Sequence, residues 1–155
     1  MDWYVKAFLK ASLAWLAAGT TVGVAMATAP RLLAWRPVHL HALLLGFVAM
    51  MIFGVAYHVI PRFTGMPLRH PRAAGAHWWI ANGGLLLLVT GFALRASATD
   101  GAALLLAAGG SGSALGAYLF AFNIWRTIDA ATDRDRQARA ATVSPGRAAM
   151  QILPS

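Results

Sequence analysis

The 155-residue chain has no cysteine, no glutamate and very little charge of either sign. Without cysteine there are no disulfides, no iron–sulfur clusters, no thiolate metal sites and no covalent c-type heme attachment. Charged residues make up 12% of the chain against 59% hydrophobic, where a soluble domain carries about 25% charged residues. The five acids are Asp2, Asp100, Asp129, Asp133 and Asp135, all outside the apolar runs. Proton relays, ion-coupled transport and di-metal sites built on carboxylates at membrane depth are therefore excluded. The net charge of +8 does not point to nucleic acid, because in so apolar a chain basic residues set membrane topology.

What the chain does have is long apolar runs, and its mean hydropathy is +0.60. A spanning helix needs about 20 mainly apolar residues. Four such runs are expected, at about 5–29, 37–60, 77–94 and 102–125, the first two ended by Pro30 and Pro61. Trp3, Tyr4, Trp35, Trp78, Trp79 and Trp125 fall near the ends of these runs, as interfacial aromatic belts do. The fold class is all-α, a transmembrane domain over 1–128 followed by a tail at 129–155, helical for a few turns and then disordered. Ala27-Thr28-Ala29 resembles a signal-peptidase site, but the apolar stretch before it is longer than a signal h-region, so the first span reads as a retained helix.

Lys6, Lys10, Arg62, Arg69, Arg72, Arg126, Arg134, Arg136, Arg139 and Arg147 belong to one side, and only Arg31, Arg36 and Arg95 to the other. The basic-rich side is the cytoplasmic one, so both termini are expected there and the loop before His39 on the periplasmic or outer face. Gly19 and Gly23, and Gly112 and Gly116, are spaced for close helix approach in lipid. Packing is the favoured reading of these glycines.

Histidine is the remaining chemical signal. The second span opens on Arg36-Pro37-Val38-His39-Leu40-His41 and nears its other end at Tyr57-His58. On a helix His39 and His58 are about 28 Å apart and cannot share a metal. His39 and His41 differ by about 200° around the axis and face opposite ways, so each needs its own partner. The His39 stripe continues through Ala42, Leu43, Gly46, Met50, Phe53 and Gly54, small enough in places for a flat macrocycle to lie against the backbone. His58, His70 and His77 flank the cytoplasmic loop. A metal site there, centred on His58 and His77, is the alternative to simple solvation, and Met26 and Met50 read as packing residues.

The segment from Arg36 to Thr64 resembles the second helix of heme–copper oxidase catalytic subunits, particularly C-type oxidases and nitric oxide reductases. There an Arg-Pro-x-His run enters from the periplasmic side and its histidine ligates the low-spin heme. The match here is Arg36-Pro37-Val38-His39. Those subunits have about twelve helices in three arcs of four, with further ligands this chain lacks, and position 41 is His where they usually have Asn. The resemblance implies one four-helix arc carrying non-covalent heme b, with His39 and His41 as iron ligands and Gly46 and Arg36 beside the heme. It also implies a homo-oligomer, either a trimeric ring with heme between His39 of one copy and His41 of the next, or a dimer sharing one heme between two His39. Electron transfer, or binding of NO or O₂, in a bacterial inner (cytoplasmic) membrane is the expected function, with membrane lipids and a larger respiratory complex as partners. No catalytic residue is assigned. The alternative is a cofactor-free accessory or assembly subunit docking through the glycine faces of helices one and four, and a gas or redox sensor signalling through the tail ranks after both.

Overall fold

The computed structural model describes the backbone of residues 1–150 and the side chains of residues 1–142. Four helices make up the fold: α1 (Trp3–Thr28), α2 (Pro30–Thr64), α3 (Pro71–Ala96) and α4 (Ala102–Met150). Each contains a stretch long and apolar enough to cross a membrane. The chain is therefore an all-helical, multi-pass membrane protein.

The breaks follow local chemistry. Ala29 is extended, at φ −135° and ψ 95°, because a residue before proline is pushed out of the helical region. Pro30 then starts α2 at a position where its missing N–H costs nothing. At the far end α2 does not stop at Pro61 as expected. It continues to Thr64 and ends on Gly65 at φ 61°. The Gly65 N–H donates to the Arg62 carbonyl and the Met66 N–H to the Pro61 carbonyl, a Schellman closure that glycine makes without steric cost. α3 also begins earlier than expected, with Pro71 in its first turn. α4 runs on past the apolar limit at Trp125 to Met150, further than the few turns expected. The end of the tail, 151–155, lies outside the described residues.

α2 is not uniformly wound. A 3₁₀ turn at Pro30–Trp35 leads into α-helix at Arg36–His41, then a π-helical stretch at Ala42–Ala49, then α-helix at Met50–Thr64. Its buried positions are Val38, Ala42, Gly46, Met50, Gly54 and Tyr57, mostly four apart. On a regular α-helix each four-residue step overshoots a turn by about 40°, so such a row would wind away from its neighbours. The wider π turns counter that drift and keep the row against the bundle.

The tightest contact is α3 on α4. A Cβ at Gly109 would stand 2.4 Å from the Leu88 nitrogen, and one at Gly84 would stand 2.6 Å from the Ser113 nitrogen. The two backbones meet with no side chain between them, the small-residue packing that substitutes for a hydrophobic drive in lipid. Gly112 and Gly116 sit on the same seam, against Gly84 and Ala81. Gly19 and Gly23 of α1 face Leu43 and His39 of α2. Both glycine faces are thus used for packing inside the subunit, the reading favoured for them from their spacing.

At the end holding the chain's N-terminus, α4 clamps the turn between α2 and α3. Asn123, fully buried, accepts from the His70 N–H at 3.1 Å and donates to the His70 carbonyl at 2.9 Å. Thr127 accepts from the Arg69 N–H, and the Arg134 guanidinium caps the Thr64 and Gly65 carbonyls at 3.0 Å each. The clamp satisfies backbone groups that the turn leaves open.

Candidate heme-ligand site

The α-helical turn Arg36–His41 sets the site. His39 points at α1, and its Nδ1–H donates to the Gly19 carbonyl at 2.8 Å. Gly23 makes this approach possible: a Cβ there would lie 2.7 Å from the His39 Cε1. His41 turns the other way. Its Nδ1–H donates to the Pro37 carbonyl at 2.8 Å, and its ring lies 4.7 Å from Phe92 of α3, tilted by 32°. The two imidazoles thus meet different helices, as the angular spacing required.

A carbonyl only accepts, so both histidines carry a proton on Nδ1, and in the neutral imidazole the lone pair is then on Nε2. An Nδ1–H held by a backbone carbonyl is also the usual outer-shell partner of a metal-bound imidazole. Both side chains are partly exposed, so neither Nε2 is sealed in the subunit core. Arg36 is exposed one turn before His39, on the same side of α2.

Three expectations change. Gly46 does not open onto free space, because the Trp15 ring fills the position where its side chain would be, with Cγ 2.5 Å from a built Cβ. Gly54, further along the stripe, is covered by Phe8 and Leu9. The small stripe below His39 therefore seats α1 and not a macrocycle. The nearby cavity between Thr21, Val22, Ala25, Met26, Leu32 and Trp35 holds about 190 Å³, below the ~300–1,000 Å³ of ordinary ligand pockets.

The second correction concerns His58 and His77. The His58 ring nitrogen Nδ1 takes the Arg62 guanidinium at 2.8 Å, whereas His77 is fully buried on Tyr57. His70 stacks on Phe122. Among the described residues no three His, Cys, Asp or Glu side chains come close enough to hold a metal ion. The third is that His77, expected at a solvated edge, lies inside the bundle.

Sequence reasoning missed the group around His77. Its Nδ1 is 3.1 Å from the Tyr57 hydroxyl, and Phe8, Phe53 and Phe120 enclose the ring at 4.6–5.9 Å between centroids. The early start of α3 at Pro71 carries His77 nearly two turns into the helix, a shift that the apolar run alone did not signal. Asn82 was also missed: its Oδ1 accepts from the Trp15 indole and its amide donates to the Trp78 carbonyl, tying α1 to α3.

No family model matches the chain. It is similar to a curated protein described as cbb3-type cytochrome c oxidase subunit CcoN1 of Stutzerimonas stutzeri, with 28% identity over 131 aligned residues. The alignment covers 68% of this chain and 28% of that protein, so the chain spans little more than a quarter of its relative. The similarity supports a distant relation to heme–copper oxidase subunits.

Proposed function

We propose that this chain is a heme b-binding membrane protein of the heme–copper oxidase type, with the iron held by His39 and His41 between copies of the chain. The observation that carries the reading is the matched state of the two histidines, each with Nδ1–H on a carbonyl and Nε2 free. The distant similarity to a cbb3-type oxidase subunit supports it. The donor set fits a heme iron. The interior of one subunit does not fit the macrocycle, because Trp15 and α1 occupy the stripe beside His39. An interface between copies meets both conditions.

In this reading the loop between α1 and α2 faces the periplasm and both termini face the cytoplasm, in the inner membrane of a bacterium. The four helices correspond to one arc of the larger oxidase subunit. A heterologous ring closes with three copies, His39 of one meeting His41 of the next. A twofold dimer with two His39 on one heme is the competing assembly. Arg36, exposed on the His39 side, is placed to pair with a propionate. A heme bound by two histidines supplies reversible one-electron transfer, since no iron position stays open. The chain's part is to fix the two imidazoles, hold their tautomers and exclude water with the lipid-facing surface of α2.

The test is heme per chain in the purified protein, set against the mass of the assembly. The ring predicts about one heme per chain, and the dimer about half that. His39→Ala and His41→Ala should each empty the site in the ring, whereas in the dimer His41→Ala leaves it filled. Heme retained at full occupancy in both variants contradicts the assignment.

A further inference from the structure

Where α3 starts against α4, a groove of about 580 Å³ opens at the surface. Arg69, His70, Pro71, Arg72, Ala73 and Phe122 line it. Its volume falls within the ~300–1,000 Å³ of ordinary ligand pockets. The clamp from α4 fixes its shape, since Asn123 and Thr127 hold the His70 and Arg69 backbone, and the His70 ring stacks on Phe122 at 5.7 Å and 16°.

The groove is basic and uncompensated. Among the described residues the only ion pairs are Arg134 with Asp135 and Arg136 with Asp133, so neither Arg69 nor Arg72 has an acidic partner. The remaining acids are placed elsewhere. Asp2 accepts from Tyr4, Asp100 lies in the turn at the opposite end of α3, and Asp129 borders a different groove with Trp125 and Ile128. The free N–H groups of the first turn of α3 add to the positive character. Below the arginines the surface turns apolar. Phe122 is exposed on α4, and so is Tyr118 one turn further into the span. On α3, Ala76 and Trp79 continue the exposed face that Arg72 begins. The aromatic rings place this level at the membrane interface.

We propose that the groove binds one anionic phospholipid, its phosphodiester between Arg69 and Arg72 and an acyl chain along Phe122 and the Trp79 face of α3. Charge complementarity selects the headgroup: two unpaired guanidiniums suit a phosphate with no amine of its own, and each can meet it through two N–H donors. Basic pockets between helices at a membrane surface bind anionic headgroups in this way. The exposed aromatic and small side chains below the arginines give the lipid a footing that a soluble anion could not use. The proposal rests on the membrane-spanning helices and not on the heme assignment.

The test is native mass spectrometry and thermal unfolding of delipidated protein in detergent, titrated with dioleoyl phosphatidylglycerol, dioleoyl phosphatidylcholine or inorganic phosphate. Phosphatidylglycerol should bind saturably at one tight site per chain and raise the melting temperature, and neither phosphatidylcholine nor phosphate should do so. Arg69→Gln and Arg72→Gln should each weaken that binding about fivefold. Both side chains are exposed, so both variants should fold as wild type does. Arg139→Gln removes the same charge from the exposed part of α4 beyond the clamp, and should leave the affinity unchanged. Equal binding of phosphatidylcholine overturns the proposal, as does unchanged affinity in the Arg69 and Arg72 variants. Protection by phosphate alone would make the groove a free-anion site, and an equal loss in Arg139→Gln would reduce it to diffuse attraction; either result also overturns it.

Discussion

At the residue scale, the account turns on how His39 is held. Its imidazole reaches the Gly19 carbonyl only because Gly23 lacks a side chain. Gly23→Ala puts a methyl 2.7 Å from Cε1, too close for any unmoved ring. The imidazole must then shift, which strains its Nδ1–H bond to the Gly19 carbonyl. Loss of such an outer-shell partner lowers metal affinity about 10–100-fold, so Gly23→Ala should bind clearly less heme at limiting heme while remaining folded. A heme titration compared with Gly110→Ala checks this, because nothing lies within 4 Å of a Cβ at Gly110. The opposed directions of His39 and His41 were legible in the sequence because both lie in a regular α-helical turn. Gly46 was misread for the converse reason. Spacing places it on the His39 stripe, but nothing in spacing tells that Trp15 of another helix fills that stripe.

At the scale of elements, the four spans and the Pro30 boundary were visible in the apolar runs, since composition reports membrane depth directly. The helix ends were less visible. Helices continue into water for as long as caps and clamps allow, and the Asn123, Thr127 and Arg134 bonds that hold the α2–α3 turn join residues more than fifty positions apart. The π-helical stretch was invisible because a periodicity argument assumes uniform α winding. The α3–α4 seam gives a paired prediction. Gly109→Ala drives a methyl into the Leu88 backbone, and overpacking of this kind costs about 1–3 kcal/mol. Gly110→Ala meets open space and, by helix propensity, gains about 0.5–1 kcal/mol. Unfolding of the two variants in detergent should separate them by several degrees, in opposite directions from wild type.

At the scale of the whole molecule, the N-terminus, the α2–α3 turn and the Asn123–Arg134 stretch of α4 share one end of the bundle, and basic residues crowd there. The positive-inside rule makes the cytoplasm the expected side for that end. With no native cysteine, single introduced thiols report orientation without background. Asp100→Cys should react with a membrane-impermeant maleimide on intact spheroplasts, and Asp133→Cys only after permeabilisation; the reverse pattern inverts the topology.

The central claim is that His39 and His41 hold heme between subunits, and a reduced-minus-oxidised absorption spectrum of the detergent-purified oligomer, with pyridine hemochrome quantitation, tests it most directly. The account predicts sharp low-spin b-type bands and a heme content approaching one per chain. A protein that is well folded and oligomeric, made with ample heme and yet without Soret absorbance, would contradict it.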